Sequence, residues 1–122
     1  MKKLLAAWPL LLLSACAPHP GAGKWRAANH NEAGISDLVL AYDGRALFAT
    51  ARPKASWHCF WSAKSATTVL LDCTPSNEPS RKSRWSFTVE KDGTGRLERD
   101  GKEVARFRRI EGNPEIPRES PG

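Results

Sequence analysis

Residues 56–73 carry a clear β-hairpin signal, Ser56-Trp57-His58-Cys59-Phe60-Trp61-Ser62-Ala63-Lys64-Ser65-Ala66-Thr67-Thr68-Val69-Leu70-Leu71-Asp72-Cys73. Two strand-like runs flank a polar turn centred on Ala66. If Cys59 lies opposite Cys73 in an antiparallel hairpin, Trp61 faces Leu71. Directly opposed Cα atoms lie about 4.5–5.5 Å apart, which is within reach of a disulfide. We therefore predict a structural disulfide here. The alternative is a redox or metal-binding pair, but no CxxC spacing or histidine cluster favours it.

Similar short runs continue on both sides of this hairpin. Asp-Gly pairs at 43–44, 92–93 and 100–101 separate them, and such pairs favour the positive φ angles of tight hairpin turns. We predict eight strands, near 24–29, 36–42, 45–51, 56–62, 67–73, 84–90, 94–99 and 102–110. The fold class is therefore all-β, a small antiparallel up-and-down barrel or a closely related meander over residues 24–111. The only long break is Thr74 to Lys82, where Pro75 and Pro79 make a strand unlikely.

Strand alternation divides the aromatic residues of the hairpin between two faces. Trp57, Cys59 and Trp61 share one face, which is expected to enter the core. His58 and Phe60 share the other face, beside Leu70 of the partner strand. An outward apolar pair would mark a contact surface, and the alternative is that a loop covers it. The candidate binding residues are Trp57, His58, Phe60, Trp61, Arg81 and Lys82.

The N-terminal segment has the pattern of an export signal. Two lysines, Lys2 and Lys3, precede an apolar run that ends at Leu13. The run has about 10 residues, whereas a membrane-spanning helix needs about 20. The segment ends in Leu13-Ser14-Ala15-Cys16, which resembles the lipobox of bacterial lipoproteins.

That resemblance implies a signal peptide over residues 1–15 and lipid attachment at Cys16, which anchors the protein in a membrane. Ala17 follows the cysteine, and the resemblance then implies the outer membrane, with the domain expected in the periplasm. An ordinary secreted protein is the alternative. The Pro- and Gly-rich segment 16–23 predicts a flexible tether, and prolines in 112–122 predict a disordered tail.

Charge narrows the range of partners. Without Lys2 and Lys3, the chain carries 17 Lys and Arg residues against 13 Asp and Glu residues. This basic balance suits anionic lipid headgroups or an acidic protein. The basic residues are scattered, and nucleic acid is not expected as a partner outside the cytoplasm.

The start of the first strand carries a second resemblance. Gly23-Lys24-Trp25 resembles the Gly-x-Trp motif of lipocalins and related calycin barrels. These folds place an arginine of the last strand across the tryptophan, which implies that role for Arg106, Arg108 or Arg109. Bacterial alkaline-protease inhibitors share this small barrel and have one disulfide. The present chain is shorter than a typical lipocalin, so any ligand cavity is expected to be small or filled.

No catalytic motif is present. His19 lies in the tether, His30 in a loop and His58 in a strand, and H-E-x-x-H, G-x-S-x-G and Ser-x-x-Lys patterns are missing. We expect no enzyme activity, cofactor or metal. The leading hypothesis is a lipid-anchored, non-catalytic module that binds an envelope protein or a small apolar ligand. One alternative is an inhibitor or immunity lipoprotein that inserts loop 74–82 into a secreted protease or cell-wall hydrolase. Another is a structural accessory of a secretion or assembly machine.

Overall fold

The computed structural model describes residues 18–117, which form eight antiparallel strands. The strands are β1 (Gly23–Ala27), β2 (Asp37–Leu40), β3 (Arg45–Ala51), β4 (Lys54–Ala63), β5 (Thr68–Pro75), β6 (Ser83–Val89), β7 (Gly95–Arg99) and β8 (Lys102–Ile110). The predicted signal peptide and Cys16 lie outside the described residues. Among residues 18–117, no helix is long and apolar enough to cross a membrane.

Each strand pairs with its neighbours in sequence, and β1 pairs with β8 to close the sheet into a barrel. Lys24 lies opposite Ile110 and Trp25 opposite Arg109 in this closing pair. The prediction of a small eight-strand, all-β, up-and-down barrel is confirmed, and all eight strands fall where the turn signals place them. Closure leaves no free strand edge, which removes a common route to aggregation.

The up-and-down order gives the barrel two ends. The lower rim consists of the N-terminal segment 18–22 and the turns 41–44, 64–67 and 90–94, and the chain leaves β8 there. The upper rim consists of the connections 28–36, 52–53, 76–82 and 100–101. Both chain termini of the described region therefore lie at the lower rim.

The central hairpin has the predicted register. Cys59 lies opposite Cys73 with Cα atoms 4.0 Å apart, and the two form a disulfide. Trp61 faces Leu71, as expected. The backbone N–H of Lys64 donates to the carbonyl of Thr68 at 2.9 Å and closes the turn.

The predicted break at 74–82 begins two residues too early. Thr74 and Pro75 belong to β5, where Pro75 lies opposite Trp57. One step further, the backbone N–H of Ser76 donates to the Ser56 carbonyl at 2.8 Å. Pairs alternate along an antiparallel ladder, so an N–H at position 75 would point away from β4. On that side the pairing of β5 with β6 extends only to Cys73, which lies opposite Ser83. The missing N–H of Pro75 therefore removes no hydrogen bond between strands.

Aromatic side chains fill the interior of the barrel. In the lower half, the ring of Phe87 packs edge-on against Trp25 and Phe107, with centroids 4.9 and 5.9 Å away. Gly95 on β7 lies opposite Phe107, and a Cβ atom at this position would come within 2.1 Å of the Phe87 ring. The upper half holds Phe48, Trp57 and Trp85 in mutual contact.

The segment 19–23, for which the sequence predicts a flexible tether, makes defined contacts with the barrel. Gly21, Ala22 and Gly23 are buried against the lower rim, and the indole N–H of Trp25 donates to the Gly21 carbonyl at 3.0 Å. Proline and glycine indicate a flexible linker only where nothing else binds their backbone. Here the barrel supplies donors to these carbonyls.

The predicted disordered tail also differs from the structure over residues 112–117. Pro114 is buried, and the guanidinium of Arg45 donates to the carbonyl of Ile116 at 2.9 Å. The segment therefore lies along the turn between β2 and β3. Residues 118–122 lie outside the described region.

Removing the disulfide by Cys59→Ala together with Cys73→Ala should lower the free energy of unfolding. The bond closes a loop of about 15 residues, which corresponds to roughly 3 kcal/mol in the chain-entropy model. Urea unfolding followed by tryptophan fluorescence measures the change. A matched pair, Ser62→Ala with Thr74→Ala on the same strands, controls for substitution in this hairpin. Equal stability of the disulfide variant and the wild type would show that the cross-link does not stabilise the barrel.

Candidate functional site

The upper mouth of the barrel is closed by its own side chains. The indole N–H of Trp57 donates to the Thr50 hydroxyl at 3.1 Å, and that of Trp85 to the Ser83 hydroxyl at 2.9 Å. The Arg99 guanidinium lies over both rings, 4.8 Å from the Trp85 centroid and 5.6 Å from that of Trp57. Buried N–H groups are thus satisfied, and a cation–π contact covers the aromatic cluster.

An arginine closes the lower end in the same way. Arg109 lies over the ring of Trp25 at 4.3 Å and donates to the Ala22 carbonyl at 2.8 Å and to the Pro20 carbonyl. Of the three arginines considered for this position, Arg109 occupies it. Both ends are capped and the middle is filled, so the interior is a packed core. The candidate functional surface therefore lies on the outside of the barrel.

One side of the outer wall, from β2 to β5, presents several uncharged side chains beside the charged Arg45 and Asp72. We call it the neutral wall and define it by Val39, Leu47, His58, Phe60 and Leu70. Val39 lies opposite Leu47, and Leu47 lies opposite His58, so these side chains form one row across three strands. Phe60 is 70% exposed, which makes it the most exposed large apolar side chain among the described residues.

Charged residues border Phe60, but each is engaged elsewhere. Arg45 lies opposite it on β3 and binds the Asp43 carboxylate at 2.9 Å. Asp72 lies opposite it on β5 and accepts from Arg84 at 2.9 Å. The phenyl ring therefore stands exposed between two ion pairs, and no loop of the described chain covers it.

A groove adjoins the upper edge of the neutral wall. β2 begins only at Asp37, whereas its neighbour β3 extends to Ala51. The end of β3 that β2 does not cover borders a depression of about 330 Å³. Val39, Leu47 and Ala49 form its apolar lining, and Ser36 and Ser56 add hydroxyl groups. The neutral wall therefore combines a protruding ring with a neighbouring depression.

The opposite side of the barrel, from β6 to β8, is charged. Arg106 binds Glu103 at 2.8 Å and lies 3.8 Å from Glu90, which also pairs with Arg96 at 3.4 Å. The hydrogen bond from Arg106 lowers the pKa of Glu103, and the same bond raises the pKa of Arg106. This network is partly exposed and is typical of a solvated face.

The residues proposed from sequence do not form one site. His58 and Phe60 share the neutral wall, whereas Trp57 is buried in the upper cluster. Trp61 points inward at the lower rim, where its N–H donates to the Ala41 carbonyl at 2.8 Å. Arg81 and Lys82 are exposed on the upper rim.

Sequence reasoning missed Val39 and Leu47. Alternation over residues 38–50 does place both on an outward face. Only the register of β2, β3 and β4, however, brings them beside His58.

Comparison of the chain with protein-family models, with curated proteins and with solved structures finds no match. Across residues 18–117, no group of three or more His, Cys, Asp or Glu side chains is placed to hold a metal ion. The candidate site is therefore argued from its own residues.

The Glu103–Arg106 pair should make stability depend on acid pH. Because the folded-state pKa of Glu103 is lowered, its contribution is present above the unfolded pKa of about 4.3 and is lost as the pH falls below it. The side chain of Glu103 is 44% exposed, so the expected effect is below about 1 kcal/mol. Urea unfolding at pH 6 and pH 3 should show a smaller acid loss for Glu103→Gln than for the wild type.

Glu32→Gln is the matched control, since the Glu32 side chain makes no ion pair among the described residues. An identical acid loss in Glu103→Gln and the wild type would contradict a role of this pair in the pH dependence.

Proposed function

We propose that this protein is a lipoprotein of the bacterial cell envelope, anchored through Cys16, whose barrel is a non-catalytic binding module for another envelope protein. The neutral wall is the proposed contact surface. The observation that carries the proposal is the exposed ring of Phe60 on the neutral wall of a barrel whose interior is already filled.

The filled interior favours a protein over a small apolar ligand. A lipocalin-type carrier needs a cavity, whereas here Trp25, Phe87 and Phe107 occupy the lower half and a second aromatic group the upper half. The groove beside Leu47 is shallow and open to solvent. A projecting ring beside an open groove fits the surface of a folded protein better than a single small molecule.

The arrangement around Phe60 matches the anatomy of protein interfaces. Such interfaces have an apolar centre and a polar rim, and aromatic residues often supply most of the binding energy. Phe60 is the centre here, and the Arg45–Asp43 and Arg84–Asp72 pairs form the rim. Burying one phenylalanine side chain gains about 1.5–3 kcal/mol.

The lipid anchor rests on the sequence. A basic start, a short apolar run and Leu13-Ser14-Ala15-Cys16 support export and lipid attachment, and Ala17 supports the outer membrane as destination. The Cys59–Cys73 disulfide is consistent with an oxidising compartment such as the periplasm.

Phe60→Ser should reduce recovery of the partner at least 10-fold, because the loss of about 1.5–3 kcal/mol corresponds to a factor of 10 or more in affinity. The measurement is chemical cross-linking in intact cells, purification of the full-length protein and quantitative mass spectrometry. Arg108→Ser is the control, because Arg108 is also exposed on the outer wall but lies on the charged side, on β8.

Equal partner recovery by wild type and Phe60→Ser would refute the neutral wall as the contact surface. Recovery of a stoichiometric secretion or assembly component would instead make the module a structural accessory of that machine.

An inhibitor is the second candidate function, and the loop 76–82 favours it. All seven residues of this loop are exposed at the upper rim. Its base is fixed, because the Ser76 hydroxyl accepts from the Ser56 N–H at 2.9 Å and the Cys59–Cys73 disulfide lies three residues before it. Arg81 pairs loosely with Glu78 at 3.6 Å, and Lys82 is exposed beside it. A loop with a rigid base and a cationic end suits an acidic enzyme cleft.

If the inhibitor hypothesis is right, the purified protein slows peptidoglycan hydrolysis by a muramidase or casein hydrolysis by a secreted protease. The double variant Arg81→Glu, Lys82→Glu should then reduce the association rate at low salt at least 10-fold, because it reverses the charge that steers encounter. Lys54→Glu with Lys102→Glu is the control, as it reverses two charges of the upper end outside the loop. Absence of inhibition by the wild type would dismiss this candidate.

A further inference from the structure

The first residues that the structure describes are fixed to the lower rim. The Nε2–H of His19 donates to the carbonyl of Ser65 at 2.8 Å, and the N–H of Gly21 donates to Nδ1 of the same ring at 2.9 Å. Because Nδ1 accepts from Gly21, Nε2 is the ring nitrogen that donates to Ser65. His19 thereby joins the N-terminal segment to the turn between β4 and β5.

Further bonds hold the residues that follow. Arg109 donates to the carbonyls of Pro20 and Ala22, and the indole of Trp25 donates to that of Gly21. Residues 19–22 are thus a built part of the barrel end. Only residues 17 and 18 separate this pinned segment from Cys16.

The short connection limits how far the barrel can stand from its anchor. Three Cα-to-Cα steps lead from Cys16 to His19, and together they span at most about 11 Å. A lipid-modified Cys16 lies at the membrane surface, so the lower rim has to lie within that distance of it. We propose that the lower rim of the barrel faces the bilayer and that Tyr42 and Lys24 contact phospholipid headgroups there. This inference rests on the lipid anchor proposed above.

The chemistry of the rim beside the anchor fits phospholipid headgroups. Tyr42 is 62% exposed at the tip of the β2–β3 turn, and tyrosine is enriched at the level of headgroups in membrane proteins. Tyr42 borders a hollow of about 350 Å³ together with Lys24, Arg109 and Glu111. Two cations against one carboxylate favour anionic phosphate groups over neutral surfaces.

The orientation also sets the direction of the other surfaces. The five longer strands have seven to ten residues and, tilted as in other barrels, place the upper rim about 20 Å beyond the lower one. The loop 76–82 then points away from the membrane. The neutral wall runs beside the barrel axis and stays free for a protein partner.

A fluorescence quenching experiment on the full-length lipoprotein tests the orientation. The lipid bond uses the Cys16 thiol and the disulfide uses the other two cysteines, so one introduced cysteine is a unique labelling position. Tyr42→Cys and Ala66→Cys place a bimane label at the lower rim, and Ser80→Cys places it at the upper rim. Each protein is reconstituted into vesicles of phosphatidylethanolamine and phosphatidylglycerol that contain a lipid with a nitroxide on its headgroup.

We expect the label at position 42 or 66 to be quenched at least three-fold more than the label at position 80. Adding Tyr42→Ser and Lys24→Ser to the Ala66→Cys protein should lower its quenching, whereas Phe60→Ser should leave it unchanged. Equal quenching at both rims, or stronger quenching at position 80, would overturn the orientation while the anchor stands. Failure of the protein to float with the vesicles would overturn both the anchor and the orientation.

Discussion

Eight short strands close around an interior filled by aromatic side chains, and this closure determines where every other feature of the structure lies. An eight-stranded barrel is only just wide enough inside for side chains to fill it. Here the strands have four to ten residues, and six aromatic rings occupy that space in two contacting groups. Gly95 leaves the space that the Phe87 ring occupies. Arg99 and Arg109 cover the aromatic rings at the two ends. Because side chains fill the interior, the proposed binding surface lies on the outside of the barrel.

The fold was predictable because its determinants are local. Asp-Gly turns and alternating runs define hairpins, and consecutive hairpins admit few arrangements other than a barrel. The errors arise where distant residues decide. The composition of segment 19–23 predicts a linker, but Arg109 and Ser65, which are distant in sequence, form hydrogen bonds with it. Residues 112–117 read as disordered, but Arg45 binds the carbonyl of Ile116.

The candidate site was predictable only in part, for the same reason. Alternation along β4 is enough to place His58 and Phe60 on one face and Trp57 on the other. Whether that face is covered depends on the loops, and which residues extend it depends on register across β2, β3 and β4. Arg81 and Lys82 are close to the hairpin in sequence, yet the barrel places them at its upper rim, apart from Phe60.

In the proposed arrangement the lower rim faces the membrane and the neutral wall lies along the side of the barrel, so both proposed contacts can exist at once. Holding a barrel by its end restricts it to a layer about 20 Å deep above the membrane. A weak interface centred on one ring, such as Phe60, gains from this restriction, because confinement raises the effective concentration of a partner held in the same membrane. The charged wall opposite, with its paired Glu103 and Arg106, stays solvated and leaves one side of the barrel for binding. A modest apolar surface is then sufficient, and a larger one would expose the free protein to aggregation.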